Sequence, residues 1–157
     1  MSNQTDKPMQ SIYIAPYDPE WPKIFAQQAA LIKTALGNNC IEVHHIGSTS
    51  VPGLAAKPKI DILAVVHNLE QINNAALEQL DFINGGEGIP SGRYFSKKTP
   101  YNIHVHIFAV NNQKIADFLN FRDWLCMHPE DARNYEAVKK QLATIHTDGL
   151  AIRISKD

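Results

Sequence analysis

The sequence predicts an α+β (α/β-like) fold on three observations. Strand-like runs and helix-spaced runs interleave without strict alternation, which favours a sheet with helices packed on one side. The apolar runs 41–46 and 60–66 flank a loop of small residues, Gly47-Ser48-Thr49-Ser50 onward. A second pair of strand runs, 93–97 and 103–110, stands across a Lys98-Thr99-Pro100 turn.

The elements follow in order. Residues 1–10 read as a polar, disordered tail, and 11–157 as one domain, a length that allows a real core. Residues 11–15 suit a short strand. Asp18-Pro19-Glu20 then opens a helix, with Asp18 as cap, Pro19 in the first turn and Glu20 at the positive end of the dipole. Trp21, Ile24, Phe25, Leu31, Ile32, Ala35 and Leu36 recur at helical spacing, and Gly37-Asn38-Asn39 ends the run. Pro58 precedes the 60–66 strand, where a missing N–H is tolerated. Residues 69–80 read as one helix with Leu69, Ile72, Ala76, Leu77 and Leu80 inward. Gly85-Gly86-Glu87-Gly88 and Gly92 mark a tightly turned connection and fit neither a P-loop nor Gly-x-Gly-x-x-Gly. Two helices close the chain. Residues 113–127 carry Ile115, Phe118, Leu119 and Leu125; the run from 129 to about 146 carries Tyr135, Val138, Leu142 and Ile145. His128-Pro129 breaks them apart.

Composition narrows the function. Apolar residues are 44% and charged residues 20%, with a net charge of −1, so no basic face for duplex nucleic acid is demanded and small anions stay open. Cys40 and Cys126 form no Cys-x-x-Cys pair and suit buried or partly buried thiols of a reducing compartment. With no apolar leader and no run of membrane-spanning length, a cytoplasmic protein with no membrane partner is expected.

The chemistry concentrates around residues 43–66. A turn of Gly47, Ser48, Thr49 and Ser50 offers N–H groups and hydroxyls to phosphate oxygens; the competing reading is a turn whose hydroxyls cap their own backbone. Asp61 is a lone acid in a strand of buried type. Such a carboxylate needs a metal, a hydrogen bond or an ion pair with Lys57, Lys59 or Arg93. His104 and His106 alternate on one strand face, and His45 alternates with Val43. Asp61, His104, His106 and His45 are therefore the candidate ligands of a divalent metal of unassigned identity, with Asp61 also the catalytic candidate. The competing reading places the imidazoles on a solvated or hydrogen-bonded sheet face. Lys57, Lys59, Arg93, Lys97 and Arg122 are the candidate anion contacts, Arg93 and Lys97 sharing a face with Phe95. Arg122 lies near its helix's apolar stripe, where an inward guanidinium needs a carboxylate or phosphate.

These residues resemble the GrpB family of small bacterial proteins. The likeness is carried by the stretch from His45-Ile46-Gly47-Ser48-Thr49-Ser50-Val51-Pro52-Gly53-Leu54 to Pro58, then Ile60-Asp61-Ile62, Gly92-Arg93-Tyr94-Phe95 and His104-Val105-His106-Ile107. It continues through Phe121-Arg122-Asp123-Trp124-Leu125, His128-Pro129-Glu130 and Tyr135, and Tyr17-Asp18-Pro19-Glu20-Trp21 belongs to the same pattern. The resemblance implies a nucleotidyltransferase-like mixed sheet, similar to the domain attached to some dephospho-coenzyme A kinases. In active nucleotidyltransferases Gly-Ser cradles a triphosphate and three acids, two spaced Asp-x-Asp, hold two divalent metals. Gly47, Ser48 and Asp61 match that scheme. Leu63 stands where the second acid would be, and His104 and His106 where the third is expected. His44 fills a slot where the family commonly has Glu, and the C-terminal end is short for the family. The implied function is to bind or act on a nucleotide or other phosphorylated small molecule with a divalent metal; the alternative is a non-catalytic nucleotide- or coenzyme-binding module.

Overall fold

The computed structural model describes residues 13–144. The expected tail over residues 1–10, the first two residues of the 11–15 strand and the helix end near His146 lie outside the described residues. Of that first strand, a single bridge remains, Ala15 pairing antiparallel with Ala56.

Five strands form one mixed sheet: β1 (Cys40–Ile46), β2 (Ile60–Val66), β3 (Ile83–Asn84), β4 (Arg93–Lys97) and β5 (Ile103–Ala109), in the order β1-β2-β5-β4-β3. Only β2 and β5 run parallel; the other neighbours are antiparallel. Four α-helices accompany it among the described residues: α1 (Trp21–Leu36), α2 (Asn74–Glu78), α3 (Gln113–Met127) and α4 (Pro129–Thr144). None of them is long and apolar enough to cross a membrane.

The period of two along β2 and β5 splits the sheet into two faces. Ile60, Ile62, Ala64, Val66, Ile103, Val105 and Ile107 point one way and pack with Trp21, Ile24, Ile32 and Leu36 of α1 and Leu77 of α2. The other face carries Leu63, Val65 and Phe108 under Ile115, Phe118 and Leu119 of α3. The expectation of helices on one side is therefore corrected: β2 and β5 are apolar on both faces over most of their length, and each face needs its own cover. α4 packs instead on the loop after β1, through Val51, Leu54, Leu125, Ala132 and Tyr135.

Local chemistry explains the other differences. Asp18 accepts from Glu20 N at 2.9 Å, one step ahead of the helix, rather than capping α1 directly. The single helix expected over residues 69–80 is a 3-10 turn, Leu69–Gln71, followed by the short α2. Asn68 and Asn73 each cap a new start by accepting from Glu70 N and Ala76 N, so side chains compete with the continuous ladder. Val138 of α4 is exposed, and the inward positions are Ala132 and Tyr135. At the open end of the β1–β2 pair, Asn68 N donates to Asn39 Oδ1 at 3.0 Å and Asn39 Nδ2 donates to the Asn68 carbonyl at 2.9 Å.

Candidate functional site

At the other end of that pair, β1 leaves the sheet at Ile46, whose partner across the ladder is Asp61. The chain turns at Gly47 with φ 76° and ψ −176°, a backbone region open essentially to glycine alone. A Cβ there would lie 2.7 Å from Asp61 Oδ2, so glycine is required twice, for the turn and for the close approach of the carboxylate. A 3-10 turn, Ser48–Ser50, follows.

A cavity of about 190 Å³ opens beside this turn, lined by Gly47, Ser48, Lys57, Lys59, Asp61, and Tyr135 and Lys139 of α4 among others. Lys59 Nζ stands 3.7 Å from Asp61 Oδ2, and the Asp61 side chain is 17% exposed. Burial pushes the Asp61 carboxyl above its ordinary range, while Lys59, Lys57 and Lys139 pull it back. Ser48 Oγ donates to Tyr135 Oη at 3.4 Å. The Glu136 carboxylate accepts from Ala55 N at 2.8 Å, which ties α4 to the loop and holds its pKa down.

The hydroxyl run behaves differently from a three-hydroxyl cradle. Thr49 is buried; it donates to the Lys59 carbonyl at 3.0 Å and its oxygen faces His45 Nε2 at 3.0 Å. Ser50 Oγ donates to the Gly47 carbonyl. Both hydroxyls therefore hold the loop; Ser48 and Thr49 both line the cavity, and of the two Ser48 is the one whose hydroxyl is turned to α4 instead of the backbone.

The strand register sorts the remaining candidates. Asp61 lies directly beside His104, and Leu63 beside His106, on parallel strands, so the acid and both imidazoles share one face. His45 pairs with Ile62 and lies on the opposite face, its ring stacked on Phe25 of α1 at 4.9 Å. Arg93 and Lys97 pair with Ile107 and Ile103, so they too face away from Asp61. Lys97 is buried, donates to the Leu80 carbonyl at 3.0 Å and sits over the Phe82 ring. Arg93 donates to the Gly92 carbonyl. Arg122 pairs with Asp123 at 2.8 Å and reaches the His45 carbonyl at 3.2 Å, so it ties α3 to β1. His45, Arg93, Lys97 and Arg122 thus stand apart from the cavity lining; a one-residue parity difference on the strands decides three of them.

The imidazoles are engaged within the sheet face. Tyr94 Oη lies 2.7 Å from His104 Nδ1, and His104 Nε2 lies 3.0 Å from Asn102 Oδ1. The amide oxygen only accepts, so Nε2 carries the proton and Tyr94 donates to Nδ1. His106 lies between the rings of Tyr94 (5.2 Å) and Phe118 (5.7 Å). Burial lowers His104 and His106 to about 4, and neighbouring Lys59 adds to it. His45 falls to about 4 through burial, with Arg122 adding to it. Tyr94 is in turn seated by the glycine-rich connection: a Cβ on Gly85 or Gly88 would come within 2.5 or 2.6 Å of its side chain. Sequence reasoning passed over Tyr94, Tyr135 and Lys139 as site residues, whereas Lys59, a candidate anion contact, does line the cavity. The first shares strand parity with Ser96, which pairs with His104; the last two reach the cavity through a helix distant in sequence.

As a divalent-metal site the donor set does not fit. Among the described residues no three His, Cys, Asp or Glu side chains group together as metal ligands. Leu63, beside Asp61 on the same face, is fully buried under α3.

Comparison with known proteins places this geometry in a family. The model of the GrpB protein family matches residues 11–152. A UPF0157 protein of Halalkalibacterium halodurans is 39% identical over 85% of this chain and 70% of its own length. The chain spans 43% and 63% of UPF0157 proteins of Bacillus subtilis and Pseudomonas aeruginosa. A dephospho-CoA kinase of Mycolicibacterium paratuberculosis matches at 29% identity over 82% of this chain and 39% of that protein. The crystal structure of the conserved protein GrpB from Enterococcus faecalis superposes with a TM-score of 0.80 at 37% identity, covering 92% of this chain and 95% of that one. The MgGTP-bound Cid1 poly(U) polymerase gives a TM-score of 0.57 at 16% identity over 92% of this chain and 49% of that one. At that identity what is shared is the fold, and the mixed sheet is nucleotidyltransferase-like. With a family model covering nearly its whole length and relatives near 40% identity, the chain belongs to the GrpB protein family.

Proposed function

We propose that this chain binds a nucleotide or another phosphorylated small molecule in the cavity between the Gly47–Ser48 turn and α4. One observation carries the reading: a tight glycine turn, Ser48, three lysines from two separate parts of the chain and a partly buried carboxylate all line one small hollow. Lysine ammonium groups are strong point-charge partners for phosphate. The Cid1 neighbour holds a nucleotide, MgGTP, and one relative is a dephospho-CoA kinase; both support a phosphorylated ligand class here.

Two versions of the reading are separated by specific residues. Asp61 supports turnover, because it is the carboxylate in the cavity and burial holds its pKa up, as suits a proton acceptor. Leu63 supports a non-catalytic binding module, because an apolar, fully buried side chain stands where a second acid would serve.

A thermal-shift screen with nucleoside triphosphates, coenzyme A and inorganic pyrophosphate tests the shared part. A rise in Tm with phosphorylated compounds, diminished in Lys139→Ala, is expected; no shift across the panel refutes the reading. Chromatographic detection of product then separates the versions, since turnover abolished by Asp61→Asn marks an enzyme, and binding without product marks a module.

A further inference from the structure

We infer that the cavity takes its phosphorylated ligand free of divalent metal, with the ammonium of Lys59 in the cationic seat beside Asp61. The inference rests on the phosphate reading above and names the form of the ligand: a phosphoanion neutralised by lysines, not a magnesium complex.

The argument is one of ligands and of charge. A two-metal site needs several carboxylate oxygens, and a softer metal needs imidazole nitrogen or thiolate sulfur. Asp61 is the carboxylate of this cavity. Its same-face neighbour on β2, Leu63, is sealed beneath α3. His104, directly across the ladder, has both ring nitrogens in hydrogen bonds, to Tyr94 and Asn102. His106 is held between two aromatic rings, and His45 is on the far side of the sheet. Glu136, on the neighbouring helix, holds Ala55 N and Lys140.

Around Asp61 the charge is already supplied. Lys59 stands 3.7 Å from Oδ2, and Lys57 and Lys139 line the same cavity. A magnesium ion bound about 2.1 Å from that oxygen would stand no more than about 6 Å from the Lys59 ammonium and be repelled by it. The Gly47 backbone closes a further approach to the carboxylate. Three ammonium groups offer a phosphoanion the neutralisation that divalent ions offer elsewhere, without any coordination geometry to satisfy.

Isothermal titration of inorganic triphosphate into the protein, once in EDTA and once in excess magnesium chloride, tests this. Binding in EDTA should be at least as tight as in magnesium, because complexed triphosphate carries less charge. Lys59→Ala should weaken it by about tenfold or more. Lys139→Ala should weaken it too, and this half-buried helix position guards against a Lys59 variant that fails to fold. Asp61→Asn gives the sharpest contrast: it should bind triphosphate as well as the native protein or better, since it removes a negative charge. Binding seen only with magnesium, or abolished by Asp61→Asn, overturns the inference. A manganese titration followed by electron paramagnetic resonance keeps the two readings apart. Manganese bound in an Asp61-dependent manner overturns the metal-free seat alone, whereas absence of triphosphate binding in every condition overturns the phosphate reading and the inference together.

Discussion

The two faces of the β2–β5 pair are built from alternate residues of the same strands, yet they do different work. One face is apolar from end to end: Ile60, Ile62, Ala64 and Val66 beside Ile103, Val105 and Ile107, closed by α1 and α2. The other is apolar only at one end, where Leu63, Val65 and Phe108 meet α3. At its other end Asp61 and His104 stand side by side and the cover passes to a glycine turn, lysines and α4. A fully apolar face can only be packed. A face whose polarity changes along its length leaves its polar end to be satisfied by side chains, loops or ligand, and that end is where chemistry can be placed.

Several changes sharpen or break this contrast. The largest effect should come from pH, because buried imidazoles stand on both faces. His45, His104 and His106 titrate near 4 in the folded chain, below the ordinary value, so their stability contribution is complete above about 6.5 and is lost as pH falls toward about 4. Each pH unit through that window should remove as much as about 1.4 kcal/mol per histidine. Asp61 has the opposite sign: its raised folded pKa favours the fold at acid pH and that contribution fades as pH rises. Urea midpoints from pH 7 to pH 4.5 should therefore fall steeply, and His106→Phe should flatten the fall; an unchanged midpoint would contradict the buried neutral rings.

Ile62→Ala, on the closed face, should cost about 2–5 kcal/mol in chemical denaturation with ligand affinity intact in the folded fraction. Gly47→Ala should cost about 1–3 kcal/mol for its backbone alone and, by displacing the Asp61 carboxylate, should also weaken phosphate binding. If Gly47→Ala left binding unchanged, the turn would be structural only. The smallest effect belongs to Lys97→Met. It loses the bond to Leu80, about 1 kcal/mol, and should not alter phosphate affinity, because Lys97 faces the closed side. A loss of affinity there would blur the distinction between the faces.

Much of the fold was legible because periodicity reports burial directly. The alternation in 103–107 and the helical spacing in 113–127 gave β5 and α3 within a residue or two at the ends. The 69–80 segment was not, because two asparagine caps divide a pattern that hydrophobic spacing alone reads as one helix. At the site, Gly47, Ser48, Thr49, Lys57, Lys59 and Asp61 were visible as lining candidates, since a tight turn before a strand with a lone acid is a local signal. Thr49 and Ser50 carry the same local signal but spend their hydroxyls on the backbone. Tyr135 showed only as part of the family pattern and Lys139 gave no signal, because on α4 they look like any helix residues until that helix is laid over the turn.

Composition and spacing by themselves determined an α+β sheet, the buried-type strand over 60–66 and the glycine turn ahead of a single acid. Only the tertiary structure decided which side of the sheet each strand residue faces, and so sent His45, Arg93 and Lys97 away from Asp61 while bringing Lys59 and Lys139 to it. The physical reason is that burial patterns are local and survive in one dimension. Ladder register and helix placement arise from contacts between residues far apart in the chain, which no single segment encodes.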